Sequence, residues 1–134
     1  MQLDGTMNVL VVDDELEMAE MIADELRDRG YGVVALNSSV EALDFLKREN
    51  FDMLITDLRM PHVDGLSLLR ASRKLDPSRP VIVITGHGAI DTALEAHRQG
   101  AFQYLTKPFS LVHLLDLMRA ALAPETPGER ATDP

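Results

Sequence analysis

Three carboxylates in this sequence stand directly after apolar runs that have the length of buried β-strands. Asp13 and Asp14 follow residues 8–12, and Asp57 closes residues 51–57. Carboxylates that converge on one place repel each other, and they stay ionised together only when a cation joins them. Oxygen ligands with room for water suit Mg²⁺ or Mn²⁺. If the fold brings these strand ends together, the acids predict a divalent cation site.

Two further polar side chains follow later apolar runs. Thr85 comes after four β-branched residues at 81–84, and Lys107 comes shortly after residues 101–105. A hydroxyl can donate a hydrogen bond and an ammonium supplies a point charge, and both suit phosphoryl oxygens. Beside a bound cation, Asp57 would be a nucleophile toward phosphorus. The set therefore predicts phosphoryl transfer to an aspartate.

The elements that must position these residues alternate regularly along the chain. Alternation of strands and helices indicates parallel strands, right-handed crossovers and helices on both faces of one sheet. We predict an α/β fold, a flavodoxin-like doubly wound sheet of five strands in the order 2-1-3-4-5. Its switch point lies between strands one and three, which end in the three acids. The strands are predicted at 8–12, 31–36, 51–57, 81–84 and 101–105, and the helices at about 16–28, 40–48, 65–75, 89–98 and 111–123.

Composition narrows the class of protein. The 134 residues fit one domain, and the absence of cysteine excludes thiolate catalysis and cysteine-bound metal sites. A net charge of −9 disfavours direct nucleic-acid binding. No apolar run approaches the roughly 18 residues of a membrane span, and no signal peptide is evident, so we expect a soluble cytoplasmic protein without membrane contact. We expect a leader at 1–7, one domain at 8–123 and a flexible tail or linker stub at 124–134.

Four motifs give residues 7–122 a close resemblance to the receiver domain of two-component response regulators. Such domains are signalling switches rather than enzymes with a turnover substrate. The loops at residues 85–90 and 100–102 are most similar to receivers of nitrogen-regulator-type transcription activators. The four motifs are Val11-Val12-Asp13-Asp14-Glu15, Asp57-Leu58-Arg59-Met60-Pro61 with Asp64-Gly65, Thr85-Gly86, and Tyr104-Leu105-Thr106-Lys107-Pro108-Phe109.

The resemblance implies a role for each acid. Asp57 would accept a phosphoryl group, Asp14 would bind Mg²⁺ directly, and Asp13 would act mainly through water. The backbone carbonyl of Arg59 would complete the protein ligands. Arg59 and His87, each two residues after a site residue, occupy positions that tune the lifetime of the phosphoryl group in this family. Adjacent acids after a strand are also common as the N-terminal cap of a helix.

The remaining implied roles concern binding and switching. Thr85 and Lys107 would bind the phosphoryl group, and the peptide bond before Pro108 would be cis. Tyr104 would turn inward when the Thr85 hydroxyl moves toward a new phosphoryl group. The alternative for Tyr104 is an amphipathic ring whose hydroxyl stays at the surface.

The resemblance also implies partners. A sensor histidine kinase would bind the surface of helix one, where Met18 and Met21 lie off the core stripe. Helix four, strand five and helix five would form the face that changes, and Val112 and Leu117 add apolar surface there that suits a homodimer or an output domain. An output domain for transcription would lie C-terminal to this chain.

Other functions stay open on the sequence alone. The chain could be part of a longer regulator or a free-standing single-domain regulator, and the length of the gene would decide. An aspartyl-phosphate hydrolase also uses a strand-end aspartate and Mg²⁺. Such enzymes share a second aspartate two residues after the nucleophile, and this chain has Arg59 at that position. A flavodoxin-like cofactor binder would need backbone donors and glycine after strand one, where this chain has three acids.

Overall fold

The computed structural model of the chain describes residues 6–86 and 90–122. Its five strands are all parallel and form one sheet in the order β2-β1-β3-β4-β5, which confirms the predicted flavodoxin-like topology. The strands are β1 Asn8–Val12, β2 Gly32–Leu36, β3 Met53–Asp57, β4 Val81–Thr85 and β5 Gln103–Thr106. The helices are α1 Leu16–Arg27, α2 Ser39–Arg48, α3 Gly65–Leu75, α4 Ile90–Arg98 and α5 Leu111–Leu122.

The sheet separates two apolar layers because successive residues of a strand point to opposite faces. Val9 and Val11 of β1 join the layer that contains α1 and α5. Leu10 and Val12 join the layer that contains α2 and α3. All five residues of β3 are buried, as the continuous apolar run predicts for a central parallel strand. The layers therefore hold the central strands rigidly, and the strand ends emerge at fixed positions.

The register of the sheet places the predicted site residues side by side. Val12 at the end of β1 pairs with Thr56, so Asp13 and Asp57 leave neighbouring strands at the same level. Asp57 in turn pairs with Ile84, which puts Thr85 one residue further along the next strand. The carboxyl edge of the sheet, defined here as the ends of β1, β3, β4 and β5, therefore gathers the candidate chemistry.

Local capping explains where one of the surrounding helices, α3, begins. The side chain of Asp64 accepts a hydrogen bond from the Ser67 backbone N–H at 2.8 Å, which satisfies a free donor in the first turn of α3. Gly65 then starts that helix against the strand: a Cβ at this position would overlap the carbonyl oxygen of Asp57. The first turn of α3 therefore packs directly on the backbone of the candidate phosphoacceptor.

Several boundaries differ from the predicted ones by one or two residues. The backbone N–H of Tyr31 donates to Leu26, so Tyr31 closes α1 instead of starting β2. Ala101 likewise donates to Ala96 at the end of α4, which delays β5 to Gln103. The tail predicted at 124–134 lies outside the described residues. Within residues 6–86 and 90–122, none of the helices has the length and apolar character needed to span a membrane.

Candidate functional site

One ammonium group joins two buried carboxylates at the carboxyl edge. Lys107 Nζ donates hydrogen bonds to Asp13 Oδ2 and to Asp57 Oδ2, each at 3.0 Å. Asp13 is only 1% exposed and Asp57 only 6%. Asp13 follows β1, Asp57 ends β3 and Lys107 follows β5, so the sheet topology brings together side chains up to 94 positions apart in the sequence.

Asp14 completes a group of three carboxylates. Asp13, Asp14 and Asp57 each offer an oxygen atom within 4.8 Å of the others, and Asp14 is exposed, so the group opens to solvent on one side. If all are ionised, three carboxylates and the Lys107 ammonium sum to −2, which one divalent cation neutralises. Oxygen donors and access for water suit Mg²⁺ or Mn²⁺. The residues present therefore fit the cation that the sequence predicts.

Burial and hydrogen bonding shift two of these groups. Burial raises the pKa of Asp13, and it outweighs the lowering effect of hydrogen bonds from the Glu15 backbone N–H and from Lys107. Burial lowers the pKa of Lys107, but its hydrogen bonds to Asp13 and Asp57 together raise that pKa above its ordinary value. Lys107 is therefore a permanent cation, whereas the ionised form of Asp13 is destabilised in the absence of further positive charge.

The loop after β3 folds back onto the Asp57 carboxylate. The backbone N–H of Arg59 donates to Asp57 Oδ1 at 3.2 Å, while the Arg59 side chain is exposed. A buried serine on α2, Ser39, contacts the same loop through Pro61 and Val63. In the sequence, residues 37–39 precede the helix predicted at about 40–48 and are of the types that cap helices. Sequence reasoning therefore missed the Ser39 contact with this loop.

The other predicted site residues lie on or next to the same edge. Thr85 is fully buried, and among the described residues its hydroxyl makes one long contact, of 3.5 Å, with the Gly86 carbonyl. Tyr104 is half-buried and packs against the apolar layer of α2 and α3. The peptide bond between Lys107 and Pro108 is cis. His87 lies outside the described residues.

An apolar pocket of about 270 Å³ lies beside this edge, between α1 and the segment that leads into α5. Met21 is 49% exposed at its wall, and Met18 is partly buried. Lys107 lines the pocket as well, so the pocket adjoins the carboxylate group. The two methionines predicted to lie off the core stripe of helix one thus border the same cavity.

The face formed by α4, β5 and α5 also carries exposed apolar side chains. Leu94 is 45% exposed, Phe102 is 41% exposed and Val112 is 66% exposed. Leu117, which the sequence pattern placed among the surface residues, is instead half-buried against the layer of α1 and α5. Its position one turn from Leu114 explains the difference, because both side chains then lie near the same core face.

The fold and the acidic edge together define a doubly wound signalling domain. The chain belongs to the response regulator receiver domain family, and the match extends over residues 9–119. This confirms the family predicted from the four sequence motifs. Receiver domains are phosphorylatable, bind Mg²⁺ through acidic residues and interact with sensor histidine kinases.

Relatives of known identity agree with this assignment. The response regulator protein FleR of Pseudomonas aeruginosa is 41% identical over 126 residues, which cover 94% of this chain and 27% of FleR. The DNA-binding transcriptional regulator NtrC of Proteus hauseri is 38% identical over 115 residues, which cover 86% of this chain and 24% of NtrC. The chain thus spans about a quarter of the length of these curated relatives.

Solved structures share the fold closely. A response regulator receiver domain protein from Clostridium thermocellum superimposes with a TM-score of 0.82 at 36% sequence identity. The superposition covers 87% of this chain and 94% of that protein. The similarity therefore extends over nearly the whole of the other domain.

Proposed function

We propose that Asp57 accepts a phosphoryl group from a sensor histidine kinase and that the domain thereby switches a downstream output. The observation that supports this most directly is the Lys107 ammonium, 3.0 Å from both Asp13 and Asp57, at the edge where three carboxylates converge. A lysine in this position neutralises part of the charge on the nucleophile and is ready to bind the oxygens of an incoming phosphoryl group.

The chemical step is a substitution at phosphorus. One oxygen of the Asp57 carboxylate attacks, a phosphorus–oxygen bond forms, and the phosphorus–nitrogen bond of the kinase phosphohistidine breaks. The phosphohistidine reacts with its second ring nitrogen protonated, so the leaving imidazole is neutral, and the product on this chain is an acyl phosphate. Lys107 then donates a hydrogen bond to one phosphoryl oxygen, and the Thr85 hydroxyl donates to another. Little covalent chemistry is required of the protein, since positioning and charge carry the reaction.

Asp13, Asp14, Asp57 and the Arg59 carbonyl are the proposed ligands of the cation. The ion is Mg²⁺ or Mn²⁺, since both bind oxygen donors and retain water. When bound, the ion neutralises the charge that develops on the phosphoryl oxygens. The burial of Asp13 and Asp57 supports this assignment, because two buried carboxylates beside one lysine leave negative charge that the described side chains do not balance.

Phosphorylation is proposed to change the face formed by α4, β5 and α5. Within residues 6–86 and 90–122, the buried Thr85 hydroxyl has a single long contact, which supports a turn toward a new phosphoryl group at little cost. Tyr104, half-buried on the neighbouring strand, can then move into the space that Thr85 leaves. Arg59, with its exposed side chain next to Asp57, and His87 are the proposed residues that set the lifetime of the phosphoryl group.

The partners follow from the same surfaces. The kinase is proposed to bind at the pocket bordered by Met18 and Met21, because that pocket adjoins Lys107 and so brings a donor close to Asp57. The exposed Leu94, Phe102 and Val112 support a homodimer or an output contact on the switching face. The length of the curated relatives favours a transcriptional output domain after a receiver at 8–123 over a free-standing regulator.

The decisive experiment is phosphoryl incorporation from acetyl phosphate, followed by intact mass. We expect one phosphoryl group to be added in the presence of Mg²⁺, none without it, and none in Asp57→Asn. Asp116→Asn is the matched control, since Asp116 is an exposed aspartate on α5 and its variant should be phosphorylated normally. A folded wild-type protein that binds Mg²⁺ without incorporating phosphoryl groups would instead signal by binding alone.

A further inference from the structure

Two adjacent serines at the start of α2 make different contacts. Ser38 caps the helix, since its side chain accepts a hydrogen bond from the Glu41 backbone N–H at 3.2 Å. Ser39 is the first residue of the helix and is only 5% exposed. Its hydroxyl makes hydrogen bonds outside the helix, to a loop more than 20 positions later in the sequence. Ser39 therefore does something other than capping.

The Ser39 hydroxyl holds both ends of one tight turn. It donates to the Pro61 carbonyl at 2.7 Å and accepts from the Val63 backbone N–H at 3.1 Å, so both of its hydrogen-bonding roles are used. Between those residues His62 has a φ of 72°, and Val63 N–H also donates to the Pro61 carbonyl at 2.9 Å. A turn of this kind with positive φ at a non-glycine residue is rare in proteins. The surrounding structure must hold it, and Ser39 contributes by hydrogen-bonding to both ends of the turn.

The turn belongs to the loop that joins the candidate cation site. Arg59, two residues before Pro61, donates its N–H to Asp57 Oδ1. We propose that Ser39 is a positioning residue for the cation site, because it fixes the loop that carries the Arg59 carbonyl. This inference rests on the proposed function for the role of that carbonyl. Ser39 acts through the loop backbone and touches neither the cation nor the phosphoryl group.

The test is Mg²⁺ affinity, measured by isothermal titration calorimetry on the 134-residue chain. We expect Ser39→Ala to weaken binding about tenfold, as is typical when a group that orients a metal ligand is removed. Ser38→Ala is the matched control: it removes a helix cap one residue away, so it should lower the unfolding midpoint and leave Mg²⁺ affinity within about twofold of wild type. Ser39→Thr keeps the hydroxyl and should restore most of the affinity.

A metal-free readout keeps the inference testable even if the buried threonine disturbs packing. In amide NMR spectra without Mg²⁺, Ser39→Ala should shift the Val63 resonance and those of its loop neighbours, while Ser38→Ala should shift α2 alone. Equal Mg²⁺ affinity in wild type and Ser39→Ala, or equal losses in both serine variants, would overturn the inference. A wild type that binds Mg²⁺ but takes no phosphoryl group would instead refute the proposed function and leave the Ser39 result standing.

Discussion

Charged side chains are buried at the carboxyl edge of the sheet and also at the opposite edge, where the strands begin. Their surroundings differ between the two places. At the carboxyl edge, Asp13 and Asp57 lie together and both pair with Lys107, the one cation that the described part of the chain brings to them. At the opposite, amino edge, Arg79 is 5% exposed, with its guanidinium 4.0 Å above the centre of the Phe51 ring. Like charges are gathered at one edge, whereas one charge meets an aromatic ring at the other.

The hydrogen bonds sharpen this contrast. Arg79 Nε donates to Ser72 Oγ at 3.0 Å, so a neutral side chain of α3 receives the charged group. Burial lowers the pKa of Arg79, although the nearby Asp76 carboxylate opposes that shift. A stacked, hydrogen-bonded arginine packs the amino edge, while crowded carboxylates leave the carboxyl edge short of positive charge. We infer that the amino edge contributes stability and that the carboxyl edge contributes binding.

The largest effect should come from Arg79→Ala. Truncation removes the stacking on Phe51 and leaves the space of a long side chain empty, which should lower the free energy of unfolding by about 3 kcal/mol. Urea denaturation measures this loss. Arg119→Ala, which breaks a surface pair with Asp116, is the control and should cost less than about 0.5 kcal/mol. The comparison fails if Arg79→Ala also abolishes Mg²⁺ binding while the protein remains folded.

Mg²⁺ itself should stabilise the protein through the other edge. At a Mg²⁺ concentration 100 times the dissociation constant, binding to the folded state alone adds about 2.7 kcal/mol. Thermal or urea unfolding with and without Mg²⁺ should show this gain in wild type and in Arg79→Ala. Asp13→Asn should show little of it, since that variant lacks a proposed ligand. Stabilisation of equal size in Asp13→Asn would mean that the ion binds elsewhere.

A smaller effect of opposite sign is expected for Asp13→Asn without metal. Removing a buried charge next to Asp57 should raise the free energy of unfolding at neutral pH by about 1 kcal/mol. The pKa of Asp13 in the folded state lies above its ordinary value of 3.8, so the folded state binds this proton more tightly than the unfolded state. As pH falls through the folded-state pKa of Asp13, the free energy of unfolding of the wild type should therefore rise relative to that of the variant. The rise is complete below pH 3.8, the ordinary pKa. Urea titrations at a series of pH values measure the difference in free energy of unfolding between the wild type and Asp13→Asn.

Much of the fold could be predicted because the relevant signals are local. The continuous apolar run at 53–55 indicates a strand buried on both faces, and β3 is buried throughout. The strand order and the gathering of Asp13 and Asp57 follow from the alternation of elements and from the rule that parallel strands end at one edge. Residue type and chain order suffice for such inferences.

Other features depend on contacts between distant segments and were missed for that reason. Arg79 is buried because it stacks on the ring of Phe51, which lies 28 positions earlier, and no residue near Arg79 in the sequence indicates this contact. Ser38 and Ser39 are adjacent and identical in type, so the sequence does not show that Ser38 caps α2 while Ser39 contacts the later loop. Leu16 fits the apolar spacing of α1 but is 49% exposed, because the first turn of that helix extends past the core.

The close approach of Gly65 to the Asp57 carbonyl has a consequence for motion. With no side chain between the first turn of α3 and the end of β3, the two backbones leave no space in which one could shift alone. Gly65 N–H also donates to the Leu58 carbonyl at 2.9 Å. These amides should open to hydrogen exchange as one cooperative unit, with a common free energy of opening. If a phosphoryl group displaces the Asp57 backbone, α3 should then move with it, in addition to the change on the face of α4, β5 and α5.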